Sequence, residues 1–330
     1  MKKLSDPKTV REVISQYNFD FHKRFGQNFL VDEGVILRSL EAAQVEKDDV
    51  IFEIGPGIGT LTQYLAEAAH QVVSIEIDKK LIPILRETLR GYDNVEVINE
   101  DVLKVDLPAL AKKYHAGRRI DSNGFAGNRS DSNNNPDSSN ITPCKDEGSI
   151  SSGCLHTLKI VANLPYYITT PILMNLFHQK VPARSITVMV QKEVADRMCA
   201  PPGNKDYGAL SVAVQYYSAP RIVELVPPSS FLPHPKVTSA VVTMDLYEDA
   251  PIKAQDEALF HAVVRAAFEQ RRKTLVNALS ANPQVPFGKE PISDALNRLG
   301  FSTSIRGEKL SVEDFAALAD TLLQSGHSSA

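Results

Sequence analysis

Apolar positions along residues 35–101 change period several times. Val35, Ile36, Leu40 and Ala43 recur at helical spacing and predict an amphipathic helix over 35–45. The short apolar run Val50–Ile54 breaks into glycines and predicts a buried strand. A helix over 61–69, a second strand over 71–78, a helix over 79–89 and a third strand over 95–101 follow. This alternation predicts a parallel sheet with right-handed crossovers. Two more near-continuous apolar runs, 159–166 and 185–191, have the pattern of strands covered on both faces. Residues 215–246 read as strands around a Pro-rich loop, the antiparallel edge of the same sheet. Beyond Pro251 only helical periodicity remains, over 259–279, 292–300 and 311–323, the last opening on a capping box of Ser311 and Asp314. The chain is expected to be α/β over residues 1–248, with a helical C-terminal domain over 249–330.

Residues 117–156 break this pattern. They are rich in Ser, Asn, Asp and Gly, and so long a connection inside a compact domain is either disordered or functional. Its composition cannot bury enough apolar surface to repay ordering, so we expect disorder, at a position near the rim of the candidate site. Two acceptor patterns for glycosylation, at Asn128 and Asn140, fall inside it and are read as chance, because the N-terminus shows no secretory signal.

Composition narrows the classes further. With 43% hydrophobic and 23% charged residues, the 330-residue chain can bury a sizeable core. The net charge of −4 supplies no global basic field, so a polyanion could bind only at local basic patches. Three cysteines without a C-x-x-C pair argue against a zinc site or a disulfide framework. No apolar run reaches the length of a membrane span, and we expect a soluble, cytoplasmic protein.

The chemistry sits at strand ends. Gly55-Pro56-Gly57-Ile58-Gly59 joins a strand to a helix, where glycines allow a tight turn and close approach of a ligand. Its spacing is G-x-G-x-G, with Thr60 where a dinucleotide fingerprint has its third glycine, which weakens a pyrophosphate reading. Glu76 and Asp101 end the next two strands, where open α/β sheets bind ligands. A carboxylate there can accept both hydroxyls of a ribose, and a second can accept from an adenine amine. Solvated strand-end acids would look the same singly. Together with the turn they describe a pocket for an adenosine without phosphates.

Asn163-Leu164-Pro165-Tyr166 follows a further strand. The Asn163 side-chain carbonyl and the Leu164 backbone carbonyl could hold both hydrogens of one amino group, and Tyr166 offers a face on which a base can stack. The N6 lone pair of adenine is delocalised into its ring. Holding both N–H bonds out of the ring plane localises that pair toward an electrophile, a positioning effect that can supply roughly 7–11 kcal/mol at best.

These residues and their order resemble a known family. F-G-Q-N-F-L at 25–30, E-I-G-P-G-I-G-T-L-T at 53–62, I-E-I-D at 75–78, N-E-D at 99–101 and N-L-P-Y-Y-I at 163–168 are similar to the ribosomal RNA adenine N6-dimethyltransferases. So are Q-K-E-V-A-D-R at 191–197, D-Y-G-A-L-S-V at 206–212, F-L-P-H-P-K-V-T-S-A-V-V at 231–242 and F-E-Q-R-R-K-T-L at 268–275. The likeness is greatest to the bacterial small-subunit branch and spans nearly the whole chain, excepting 117–156.

The resemblance implies a Rossmann-like class I methyltransferase sheet with a small all-helical C-terminal domain. It implies S-adenosylmethionine as donor, no metal, and dimethylation of two adjacent adenines in the 3′-terminal hairpin of small-subunit (16S) rRNA. The partner would be the immature 30S subunit, and the enzyme a monomer. Asn28 and Leu30 then resemble donor contacts from the N-terminal arm, and Gly55 and Gly57 the turn against the methionine part. Glu76 would hold the ribose, Asp101 and Val102 the adenine, and Asn163 both donor and target amine. Tyr166 and Phe231 would sandwich the flipped base. Two basic clusters, Lys23 with Arg24 and Arg271-Arg272-Lys273, would contact phosphates, although a charge run is also what a solvated face looks like.

Three rival readings remain at this stage. The sister enzyme acting on large-subunit (23S) rRNA shares the pocket, a nicotinamide-dependent dehydrogenase shares the sheet, and a non-catalytic assembly checkpoint shares the RNA. The 25–30 arm and the basic helical tail favour the small-subunit enzyme over the first. The glycine spacing and the lack of an obvious catalytic His or Tyr-Lys pair disfavour the second.

Overall fold

Helices and strands interleave along the chain up to β10 (Ser239–Leu246), and the last four elements numbered below are helices. The computed structural model describes residues 2–17, 28–118 and 156–327. Helix α1 (Pro7–Gln16) precedes a short strand β1 (Phe29–Leu30) and α2 (Glu33–Ala42). Then come β2 (Val50–Ile54), α3 (Thr60–Ala68), β3 (Gln71–Ile75), α4 (Ile82–Thr88), β4 (Val95–Ile98), α5 (Leu107–Lys113) and β5 (Ala116–Gly117). The second half holds β6 (His156–Asn163), α6 (Thr169–His178), β7 (Ser185–Gln191), α7 (Lys192–Cys199), α8 (Ala209–Tyr217), β8 (Ser218–Val226), β9 (Phe231–Leu232) and β10 (Ser239–Leu246). Helices α9 (Glu257–Glu269), α10 (Leu275–Ser280), α11 (Lys289–Arg298) and α12 (Val312–His327) finish the chain.

The main sheet runs β4-β3-β2-β6-β7-β10-β8, with β5 beside the start of β6. β4, β3, β2, β6 and β7 pair in parallel, and β10 pairs antiparallel with both β7 and β8. This is the Rossmann-like sheet that the alternation predicts, including its antiparallel edge. Every residue of β2 is buried, as a central strand covered on both faces must be. Ser311 and Asp314 form the expected capping box, with N–H to side-chain bonds of 3.1 and 2.9 Å.

Several boundaries differ from the periodicity. Asp32 caps α2 by accepting from the Val35 N–H, so that helix starts earlier and ends at Ala42. β6 starts three residues before the apolar run and stops at Asn163, ahead of Pro165, whose ring nitrogen has no hydrogen to continue a ladder. Gln215–Tyr217, read as strand, close helix α8 instead. Both faces of that helix are covered, and its polar Ser211 and Gln215 bond to backbone carbonyls of Arg197, Met198 and Ala200 instead of facing water, which hides its period. Leu210 and Val214 pack into the sheet's core, whereas Val212 and Tyr216 join the cluster built by α9 to α12. The helix expected over 259–279 is two, separated at 270–274, where Thr274 caps α10.

The flanks of residues 117–156 also move. The expectation of a disordered insertion concerns residues that, from 119 to 155, lie outside the described ones. Their anchors are clear: Ala116 pairs with His156 and Gly117 with Thr157, at the amino end of β6. Asn163 ends the same strand. Seven strand steps at about 3.3 Å put the anchors roughly 23 Å from it, at the opposite edge of the sheet and not at the rim of the site.

That opposite edge is pinned by a buried ion pair. The Lys159 ammonium lies 2.7 Å from Asp49 Oδ2 with both side chains under 5% exposed, and also donates to the Gln44 carbonyl. Asp49 Oδ2 accepts from the Glu46 N–H at 2.7 Å, so one carboxylate ties the α2–β2 loop to the central strand. Removing one partner of such a pair leaves an uncompensated buried charge. Asp49→Ala should therefore lower unfolding free energy by about 3–5 kcal/mol in urea titrations. The paired change Asp49→Leu with Lys159→Met should lose clearly less. Because its anchors are strand neighbours far from Asn163, joining residue 118 to 156 through a short linker should preserve folding and keep affinity for the donor that the resemblance implies, S-adenosylmethionine, within a few-fold, measured by calorimetry.

Candidate active site

Parallel strands deliver their carboxyl ends to one edge, and a cavity opens there. It is lined by Asn28, Leu30, Gly55, Gly57, Glu76, Asp101, Val102, Asn163, Leu164 and Tyr166, contributed by five separate stretches of chain. All sequence-derived donor-site residues thus meet in one place. Phe231 does not join them. It is fully buried in a cluster with Leu30, Val35 and Leu65, and its strand β9 pairs with β1, Leu30 opposite Phe231 and Phe29 opposite Leu232. In this structure Phe231 therefore holds the strap that carries Asn28, and does not face Tyr166 across the cavity.

The turn after β2 needs its glycines. Gly57 has φ +63°, and a Cβ on it would meet the Phe29 ring at 3.0 Å; Gly59 has φ +94° and its Cβ would press on Leu89 at 3.1 Å. Only a residue without a side chain fits both the dihedral and the space. The Gly57 N–H donates to Glu76 Oε2 at 3.2 Å, and the Asp78 N–H donates to Oε1 at 2.8 Å. Glu76 so braces the glycine turn from the next strand while facing the cavity. Asp101 Oδ1 accepts from the Leu103 N–H at 3.0 Å, which sets the start of the loop after β4.

Asn163 is oriented by the strap. Its Nδ2 donates to the Asn28 carbonyl at 3.2 Å, which leaves Oδ1 as the acceptor available to a ligand. The Leu164 N–H donates to the Met189 carbonyl at 3.1 Å, fixing that peptide against β7. Tyr166 is half-buried, with its hydroxyl 2.6 Å from Ser239 Oγ on β10, and burial pushes that hydroxyl's pKa up. The ring is thereby held at a fixed angle to the corner.

Glu53, Thr60, Ile77 and Tyr167 are among the cavity residues to which the sequence assigns no site role. Glu53 could have been, since it is a lone acid in the otherwise apolar strand Val50–Ile54. It is buried, and its Oε2 accepts from Thr62 and Ser74 hydroxyls, each at 2.7 Å. Desolvation pushes its pKa up to about 7, with a smaller contribution from the nearby Glu76 charge. Glu76 is likewise raised by burial to about 7. Thr60 Oγ1 is buried in the same wall without a hydrogen-bond partner. Close-approach glycines, two acids poised to ionise and an unsatisfied hydroxyl together fit a ligand carrying both an adenosine and a cationic amino-acid part. Among the described residues, no cluster of three or more His, Cys, Asp or Glu has metal-site geometry.

The basic clusters fare unequally. Arg271 donates to the Lys205 and Tyr207 carbonyls, each at 3.0 Å, and lies 3.6 Å from Glu308. Its guanidinium clamps the α7–α8 loop, while Arg272 and Lys273 are exposed. Lys23 and Arg24 lie outside the described residues.

The raised acids set a pH dependence with a definite sign. A carboxyl whose folded pKa exceeds its unfolded value binds more protons when folded, so its contribution to stability is complete below about 4.5 and lost as pH rises through about 7. Glu53→Gln keeps an acceptor for both hydroxyls and removes that titration. Its melting temperature relative to the parent should therefore be higher at pH 8 than at pH 6. An equal difference at both values would reject a neutral, buried Glu53.

Comparison with known proteins bears on what this cavity belongs to. The chain is 50% identical over 323 residues to the ribosomal RNA small subunit methyltransferase A of Lachnoclostridium phytofermentans, covering 98% of each chain. It is 44% identical to the same-named protein of Alkaliphilus oremlandii over 98% of this chain and 99% of the other. A dimethyladenosine transferase from Plasmodium falciparum superposes with a TM-score of 0.65 at 25% identity, covering 90% of this chain and 98% of that one. The family model for ribosomal RNA adenine dimethylase matches residues 18–322, a span that holds the glycine turn, its bracing acids and the Asn163 corner together, and the chain belongs to that family.

Proposed function

We propose that this protein dimethylates, from S-adenosylmethionine, the N6 atoms of two adjacent adenines in the 3′-terminal hairpin of small-subunit (16S) rRNA. The observation that carries the reading is the shared cavity: the glycine turn with Glu76 and Asp101 opens onto the same space as Asn163 and Tyr166. The full-length relatives named as small-subunit methyltransferases support the small-subunit RNA over the large-subunit alternative.

Bound there, S-adenosylmethionine supplies an electrophilic methyl group. Glu76 accepts from the ribose hydroxyls and Asp101 from the donor adenine, with Val102 against its ring. Gly55 and Gly57 let the backbone approach the methionine part, while Asn28 and Leu30 close the strap side. On the target, Asn163 Oδ1 and the Leu164 carbonyl accept the two N6 hydrogens in the first transfer and turn the lone pair out of the ring plane; in the second transfer one N6 hydrogen remains for these acceptors. Tyr166 stacks on the extruded base, worth about 1–3 kcal/mol. The proton departs after the new bond forms, so no strong base is required at N6.

Residues 1–248 form the methyltransferase unit in this reading, and 249–330 a helical one whose Arg272 and Lys273 contact phosphates. We take the protein as a cytoplasmic monomer acting on immature 30S subunits during their biogenesis.

Labelled donor incubated with small subunits lacking the modification should place label on the paired adenines, mapped by primer extension. Label in large-subunit RNA would overturn the substrate, and donor binding without transfer would overturn catalysis in favour of a checkpoint. Asn163→Ala should fold normally and lose at least about 100-fold in kcat, in line with losing one preorganised polar contact in a transition state. Near-parental turnover would reject the amine-holding role.

A further inference from the structure

Two tyrosines follow Pro165, and the cavity uses them differently. Both line it, yet Tyr166 is half-buried and tied to Ser239, whereas Tyr167 is 52% exposed. Among the described residues, Tyr167 is the one aromatic side chain among the large exposed apolar groups. A side chain that lines a cavity and is half in water stands at its mouth. The backbone beneath it is firm: the Pro165 carbonyl accepts from the Ile168 N–H and from Thr169 Oγ1, each at 3.2 Å, and Thr169 is buried. The rigid turn fixes the point at which the Tyr167 side chain leaves the backbone, so the ring is delivered to the cavity mouth without ordering of the loop on contact.

We propose that Tyr167 is a stacking platform for the nucleobase adjacent to the target adenine. The inference rests on the function proposed above. Extruding one of two neighbouring adenines strips a stacking face from the other, and an aromatic ring beside the path of extrusion restores it. Stacking reads a π-face and not a hydrogen-bonding edge, so N6 methyl groups on the neighbour leave the contact intact. One platform therefore serves whether the neighbour is unmodified or already dimethylated, which is what two adjacent targets require of a single site.

The test is a cycle of protein and RNA changes. Small-subunit particles are rebuilt with a synthetic 3′ RNA segment carrying either the natural adenine or an abasic site beside the target. Tyr167→Ala should lower kcat/KM for the natural particle about tenfold, the equivalent of about 1.4 kcal/mol of stacking, with donor KM within about twofold. Tyr167→Phe should restore the rate, which a hydroxyl contact to phosphate would not. The abasic neighbour should slow the parent enzyme by a similar factor and add no further loss to Tyr167→Ala. Independent, multiplying losses would overturn the platform, as would an unaffected Ala variant. If the parent transferred no methyl group to the natural particle, the proposed function would fail, and the platform with it.

Discussion

The functional architecture depends on one constraint: parallel strands that pair side by side must end on the same edge. β2 sits between β3 and β6, in register from Val50 opposite Gln71 and Leu158. That pairing alone brings Gly55, Glu76 and Asn163 within one cavity although they are far apart in sequence. The glycine turn could not sit against Glu76 if β3 ran the other way. Without the β2–β6 ladder, the Asn163 corner would have no donor pocket beside it.

Buried charge is arranged differently at the two edges. At the amino edge, Lys159 and Asp49 neutralise each other and lock a loop to the central strand. At the carboxyl edge, Glu53 and Glu76 have hydroxyl and backbone donors but, among the described residues, no cationic partner, and burial raises both. An unpaired buried acid is held at a cost in stability. Here it faces the cavity, where a cationic ligand would supply the missing charge. The strap β1–β9 completes this edge, since the Asn28 carbonyl decides which way the Asn163 amide points.

Much of this was legible in the sequence, for physical reasons. Strands β2, β6 and β7 are covered on both faces and so read as apolar runs, and the strand–helix alternation permits few topologies. The glycine turn and the acids Glu76 and Asp101 stood out because their chemistry requires those residue types. Helix α8 was hidden because burial between two cores erased its polar face. Glu53 passed as part of a strand. Arg271 looked like its two basic neighbours, and only the carbonyls of Lys205 and Tyr207 distinguish it.

The sequence by itself determined the α/β order, the glycine turn, the strand-end acids and the Asn-Leu-Pro-Tyr corner, because each is a local pattern of period, dihedral or chemistry. Only the tertiary structure decided that Phe231 faces inward to hold the strap, that residues 117–156 are anchored at the edge away from the cavity, and that Tyr166 and Tyr167 divide into an inner and an outer ring. Those outcomes follow from which surfaces neighbouring strands and helices cover, and coverage is a property of packing between segments distant in the chain.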